Sequence, residues 1–150
     1  MPAIEIRETP PDELLRQAQE LLVANWLEME SARFPDAPKP KTEVYEAMSE
    51  EGSLIGLGAY DEDKLIGYAV FALIEHLHYE GSYAHCEVIY VSPEYRRQGV
   101  GADLFDASRQ FAKVKGARWL AWSAKPESAF AKVLQRYVGK PEEMLFVEEV

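Results

Sequence analysis

Three stretches in the middle of the chain are apolar over strand-like lengths: SLIGLGAY (53–60), KLIGYAVFALIEHLHY (64–79) and SYAHCEVIYV (82–91). Only DED and EGS separate them, so they predict three strands joined by tight turns into an antiparallel meander. Upstream, IEIRE (4–8) alternates like a further strand, and Thr9, Pro10 and Asp12 read as helix cap, first-turn proline and capping-box acid. The helix that follows is predicted to run about five turns. It would turn Leu14, Ala18, Leu21, Leu22 and Met29 inward and stop before Pro35. A short second helix is predicted from Thr42 to Gly52.

Beyond the meander the order changes to helix, strand, helix, strand. A helix opens at 99–101, carries Leu104, Ala107, Phe111 and Val114 on one stripe and ends at Gly116. WLAWSAK (119–125) reads as a strand. PESAFAKVLQRYV (126–138) reads as a helix with Phe130, Val133, Leu134, Tyr137 and Val138 on its stripe, and MLFVEEV (144–150) as a closing strand. The predicted class is α/β of the α+β type, a mixed, mainly antiparallel central sheet flanked by helices.

With 150 residues, 47% of them hydrophobic, the chain suits one domain over 1–150. FPDAPKPK (34–41) is short enough to be a loop. The net charge is −10, which disfavours nucleic-acid and anionic-lipid partners. The charge is unevenly placed. Residues 1–90 carry 6 Lys+Arg against 18 Asp+Glu, a balance of −12, and residues 91–150 carry 10 against 8, a balance of +2. The first part suits a cation and the second an anion. One cysteine, Cys86, makes no intramolecular disulfide, and with three histidines it falls short of a structural zinc set. No metal is expected. The lone cysteine fits a reducing, cytoplasmic setting, and with no apolar run of the roughly 18 residues of a membrane span neither secretion nor a membrane is expected.

Candidate chemistry concentrates in YVSPEYRRQGVGADL (90–104), where an apolar strand passes through a short turn into a glycine-containing helix start. Gly99 and Gly101 remove side chains where a ligand must approach backbone N–H groups. The helix N-terminus adds its positive dipole end, and Arg96 and Arg97 add charge. Phosphate oxygens suit such a place. Leu104 stands where a dinucleotide fingerprint would need its third glycine, and no Gly-Lys-Ser/Thr follows as in a P-loop.

Arg96, Gly99 and Gly101 fit, in order and spacing, the Arg/Gln-x-x-Gly-x-Gly/Ala loop of the GNAT family of N-acetyltransferases, which the chain resembles in element order over nearly its whole length. HLHY (76–79), WLEMES (26–31) and the spacing to IYVSPEYRR further resemble small acetyltransferases often carried by bacteriophages. The resemblance implies acetyl-CoA as cosubstrate, with its diphosphate on the backbone of 97–102 (Arg97, Gln98, Gly99, Val100, Gly101, Ala102). Its pantetheine arm would lie along Ile89, Tyr90 and Val91, where this strand splays from WLAWSAK. A backbone N–H near Val91 would serve as oxyanion donor. The resemblance also places Ser128, a candidate cofactor contact, where relatives often carry asparagine. Gln135 stands where they carry the tyrosine that protonates the departing thiolate.

An amine must lose its proton before it attacks a thioester, so the site needs a base or a proton path to water. Glu87 is the first candidate, expected by strand alternation to share a face with His85, Ile89 and Val91, with Tyr90 opposite. A substrate-charge partner or a solvated carboxylate are its other readings, and His85 is the alternative base. His76 and His78 line either the amine pocket or the protein surface. Tyr137 is the candidate acid for the thiolate, with water as the alternative. Cys86, beside Glu87 and His85, is read as a buried strand cysteine, because strand neighbours point to opposite faces. Trp119, Trp122 and Phe130 read as core before they read as adenine-stacking residues. Trp26, Glu28, Glu30 and Tyr79 are candidate acceptor contacts.

The reading is therefore direct transfer of acetyl from acetyl-CoA to a primary amine of a small molecule or a lysine side chain. It passes through a tetrahedral intermediate, with no metal and no acyl-enzyme, on a monomer or homodimer. Two rivals stand beside it. One is a silent CoA-binding sensor or interaction module, kept alive by Gln135 and Ser128; the other is a fold relative using a different acyl-CoA or another phosphate.

Overall fold

A computed structural model describes residues 3–150. Five strands form one sheet in the order β1-β2-β3-β4-β5: β1 (Ile4–Glu8), β2 (Leu54–Asp61), β3 (Lys64–Glu75), β4 (Ser82–Val91) and β5 (Trp119–Ala121). The first four pair antiparallel and β5 joins β4 in parallel. The mainly antiparallel mixed sheet flanked by helices is the class that the hydrophobic pattern predicts.

One face of the sheet is covered by α1 (Pro11–Gln17), α2 (Gln19–Asn25) and α3 (Thr42–Glu51), over a core of Leu14, Ala18, Leu54, Tyr68, Val70 and Tyr90. The other face takes α4 (Val100–Val114), packed on Leu57, Ala69, Phe71, Ala84 and Cys86. Gly56 is needed where α1 crosses β2, since a Cβ there would stand 2.6 Å from a Leu14 methyl and 2.7 Å from the Thr9 carbonyl. α5 (Ala129–Tyr137) follows β5.

Several expected boundaries move. Thr9 does not cap α1: its hydroxyl meets Tyr60 Oη at 3.0 Å, and Pro11, preceded by extended Pro10, opens the helix. The residue before a proline is pushed out of the helical region, so the Pro-Pro step starts the helix one residue late. The predicted five-turn helix is broken at Ala18 and ends in a π-helical turn, Trp26–Glu30, closed by Ser31 N–H to the Trp26 carbonyl at 2.8 Å. The wider turn spoils the 3.6-residue period, which carries Met29 out of the core to 39% exposure.

On α4 the buried stripe is Val100, Leu104, Phe105, Ser108 and Ala112, and Val114 is exposed. β3 ends at Glu75, so HLHY forms the β3–β4 turn and no strand. WLAWSAK keeps only three strand residues, and Trp122 leaves the sheet to pack on Phe71, Phe105 and Phe130. Trp122 thus packs on the core as read, and Phe130, half-buried, packs on Trp122 at the rim of that core. α5 starts at Ala129, later than predicted, and Tyr137 and Val138 at its end are exposed. MLFVEEV forms no strand, and Met144, Leu145 and Phe146 are exposed. Alternation supplies a strand's faces but no partner, and no described strand pairs with this segment. No helix among the described residues is long and apolar enough to cross a membrane.

Candidate active site

β4 and β5 hold the site open. They pair only from Tyr83 with Trp119 to His85 with Ala121, so the last six residues of β4, 86–91, have β3 on one side and an open wedge on the other. This is the divergence that the family resemblance implies. A β-bulge sits at its start: Cys86 pairs with Phe71 and Val88 with Val70, leaving Glu87 without a partner on β3.

The bulge corrects the expected alternation. Ala84 and Cys86 lie in the α4-side core, and past the bulge Ile89 and Val91 join them. Val88 and Tyr90 pack instead on the α1–α3 side. Glu87 belongs with that second set, since its carboxylate reaches His85, which alternation places opposite Ala84 and Cys86; burial, then the Glu87 charge, pushes up the phenol of Tyr45 on α3. Glu87 thus shares a side with His85, whose Nδ1 is 3.3 Å from its Oε1, and with Tyr90, but not with Ile89 and Val91. An inserted residue reverses every side chain after it, which no two-residue count foresees. Cys86 is turned away and buried, and burial, then the Glu87 charge, pushes its thiol up to about 12. A disulfide reagent at mildly alkaline pH should therefore leave the native thiol unreacted and titrate it fully in guanidinium; rapid native reaction would contradict the burial.

At the end of β4 a short 3₁₀ turn, Pro93–Tyr95, is pinned by Tyr95 Oη to Asp61 Oδ2 at 2.6 Å. The chain then passes Arg97 (φ 64°) and Gly99 (φ 86°), both left-handed, into α4. Among the described residues, the amides of Arg97, Gln98 and Gly99 have no backbone acceptor. Those of Val100, Gly101 and Ala102 are the first-turn donors of α4, which no intrahelical carbonyl can reach. A Cβ on Gly99 or Gly101 would meet nothing within 4 Å. Open space in front of six unused donors at a helix N-terminus fits a diphosphate.

Arg96 is otherwise engaged. Its Nε donates to the Val91 carbonyl at 2.8 Å and its Nη2 to Glu28 Oε1 at 2.9 Å, while its guanidinium lies 5.2 Å over the Tyr90 ring. Tyr90 Oη donates to the same Glu28 oxygen at 2.9 Å. The Arg96 hydrogen bond holds the Glu28 carboxyl below its usual range, and burial, then Glu28, pushes the Tyr90 phenol up to about 12. Glu30 meets Lys125 Nζ at 3.3 Å. The π turn therefore reaches both lips of the wedge, β4 through Glu28 and the chain after β5 through Glu30. Trp26, on the same turn, gives its indole N–H to the Phe34 carbonyl at 2.7 Å.

Other candidates lie apart from this centre. His76 packs against Tyr79, Tyr83 and Trp119 in the β3–β4 turn, with His78 alongside, at the end of β4 away from the glycine loop. Its Nδ1 accepts the backbone N–H groups of His78 and Tyr79 at 3.0 and 3.2 Å, which closes the turn. Ser128 caps α5 by accepting from Ala131 N–H at 3.1 Å, an interaction worth about 1 kcal/mol. Tyr137 is exposed, its ring centroid 6.4 Å from that of Phe105. Tyr45 and Lys125 carried no signal in the sequence, because only the docking of α3 and the divergence of β5 bring them here.

A parallel strand pair that diverges ahead of a glycine-containing helix entry, on a mainly antiparallel sheet, is the architecture on which the comparisons with known proteins bear. The sequence profile of the acetyltransferase (GNAT) family matches residues 16–137, and the chain belongs to that family. It is an acyltransferase, and members of the family use acetyl-CoA as cosubstrate. An aminoglycoside N(6')-acetyltransferase type 1 of Stenotrophomonas maltophilia is 26% identical over 129 residues, 83% of this chain and 84% of that one. Among solved structures, a ribosomal-protein-alanine N-acetyltransferase from Brucella melitensis biovar Abortus 2308 superposes with a TM-score of 0.75 at 16% identity, covering 99% of both chains. An aminoglycoside acetyltransferase from an uncultured soil metagenomic sample, in complex with sisomicin, gives 0.69 at 22% identity, covering 98% of this chain and 93% of that one. At these identities the two structures speak for the fold.

Proposed function

We propose that this enzyme transfers acetyl from acetyl-CoA directly to a primary amine of a cationic small molecule of the aminoglycoside kind. The observation that carries this reading is the meeting, at one end of β4, of the wedge, the bulge with Glu87 and the open amide cradle. The relative's aminoglycoside specificity and the −12 balance of residues 1–90 support a cationic acceptor. The resemblance to phage-carried members rests on HLHY, WLEMES and the spacing to IYVSPEYRR.

When bound, acetyl-CoA supplies the activated acetyl thioester. In this reading the amides of 97–102 hold the diphosphate and Ile89, Tyr90 and Val91 flank the pantetheine arm. A backbone N–H near Val91 faces the thioester oxygen, where negative charge develops. Glu87, with His85 beside it, takes the ammonium proton. Tyr137 or water returns a proton to the leaving sulfur.

Calorimetric titration with acetyl-CoA, CoA and ATP, followed by mass spectrometry of sisomicin, spermidine and a lysine peptide as acceptors, tests the proposal. The expected result is binding of both thiol cofactors over ATP and a single added acetyl on sisomicin. No binding, or preference for ATP, overturns the cofactor assignment; acetylation confined to the peptide overturns the acceptor class.

A further inference from the structure

Within the family loop, Arg96 occupies the position next to the proposed diphosphate cradle, yet two of its three guanidinium nitrogens are engaged elsewhere. Nε is spent on the Val91 carbonyl and Nη2 on Glu28. Arg96 and Tyr90 converge on one oxygen of Glu28, Oε1, and no described residue bonds the other, Oε2. Two donors on one oxygen fix the carboxylate's rotation and leave its second oxygen available beside the wedge. Glu28 is carried there by the π turn, a local structure that costs stability and recurs at functional sites. The same turn is tied on its far side by Glu30 to Lys125.

We propose that Arg96 serves the acceptor and not the diphosphate: with Tyr90 it positions Glu28, whose second carboxylate oxygen receives a cationic amine of the acceptor. This rests on the reading of the chain as an N-acetyltransferase whose acceptor reaches β4 from the α1–α3 side. Arg96 is a positioning residue, and its effect passes through Glu28. An arginine suits the task because its planar fork holds the Val91 carbonyl and the carboxylate at once, which a lysine cannot do.

The test uses the full-length protein with Arg96→Gln, Glu28→Gln and the double variant. Acetyl-CoA affinity is read by calorimetry, and KM by steady-state kinetics with the best acceptor of the amine series. Arg96→Gln should leave the acetyl-CoA Kd within about threefold and raise the acceptor KM about tenfold, as should Glu28→Gln. The double variant should be no worse than Glu28→Gln alone, because two residues acting through one carboxylate are not additive. Arg96→Lys should recover little. A tenfold or larger loss of acetyl-CoA affinity in Arg96→Gln would overturn the proposal, as would additive KM effects or an unchanged acceptor KM. Failure of the wild-type protein to bind acetyl-CoA at all would strike the underlying functional reading instead, so the two failures are separable.

Discussion

Gly99→Asp should abolish acetyl-CoA binding, raising its Kd by more than about a hundredfold, or roughly 3 kcal/mol. The side chain would project into space that no protein atom occupies within 4 Å, so the fold has no steric reason to object. The carboxylate would stand among donors that have no other acceptor, neutralising the cradle and repelling the diphosphate. One confounding cost exists. Gly99 has φ 86°, and an L-residue there costs about 1 kcal/mol, less for aspartate than for most.

Gly101→Asp separates binding from strain. Gly101 is not in the left-handed region and lies in the first turn of α4, where an acidic side chain favours the helix by about 0.3–1 kcal/mol. Thermal stability should therefore hold or rise while calorimetric binding is lost. Affinity retained within about threefold in both variants would remove the diphosphate from this loop.

Glu87→Gln should lower turnover at neutral pH by about a hundredfold and leave the acetyl-CoA Kd nearly intact, a split that marks loss of proton transfer and not of binding. The hundredfold lies at the low end for a general base, because the Glu87 side chain is 47% exposed and water can take part of its role. The sign with pH follows. Without the carboxylate, reaction depends on the fraction of amine already neutral, so the variant's rate should climb with pH and approach wild type in alkali. His85→Ala should cost less, since His85 touches Glu87 only through the 3.3 Å contact. Parallel pH–rate profiles for wild type and Glu87→Gln would take Glu87 out of the mechanism.

Local chemistry by itself determined the meander, the glycine-containing entry to α4 and the buried character of Cys86. Each depends on neighbours in sequence: apolar runs separated by DED and EGS, small residues ahead of an apolar stripe, a thiol within a strand. The same local rules misplaced the start of α1, the Met29 face and the strand at MLFVEEV. There the Pro-Pro step, the π turn and the lack of a partner strand decide.

Which groups share the site was a tertiary matter. Alternation put Tyr90 opposite Glu87, and the bulge brought them to one side. Spacing offered Arg96 to a phosphate, and the fold also ties its Nη2 to Glu28, 68 residues away in sequence. HLHY, which its apolar run extended as strand, closes the β3–β4 turn instead, at the end of β4 away from the glycine loop. A motif specifies the donors and space it contains, whereas a catalytic set depends on bulges, diverging strands and helix docking. Those arise from packing over the whole sheet, and so no single stretch of sequence records them.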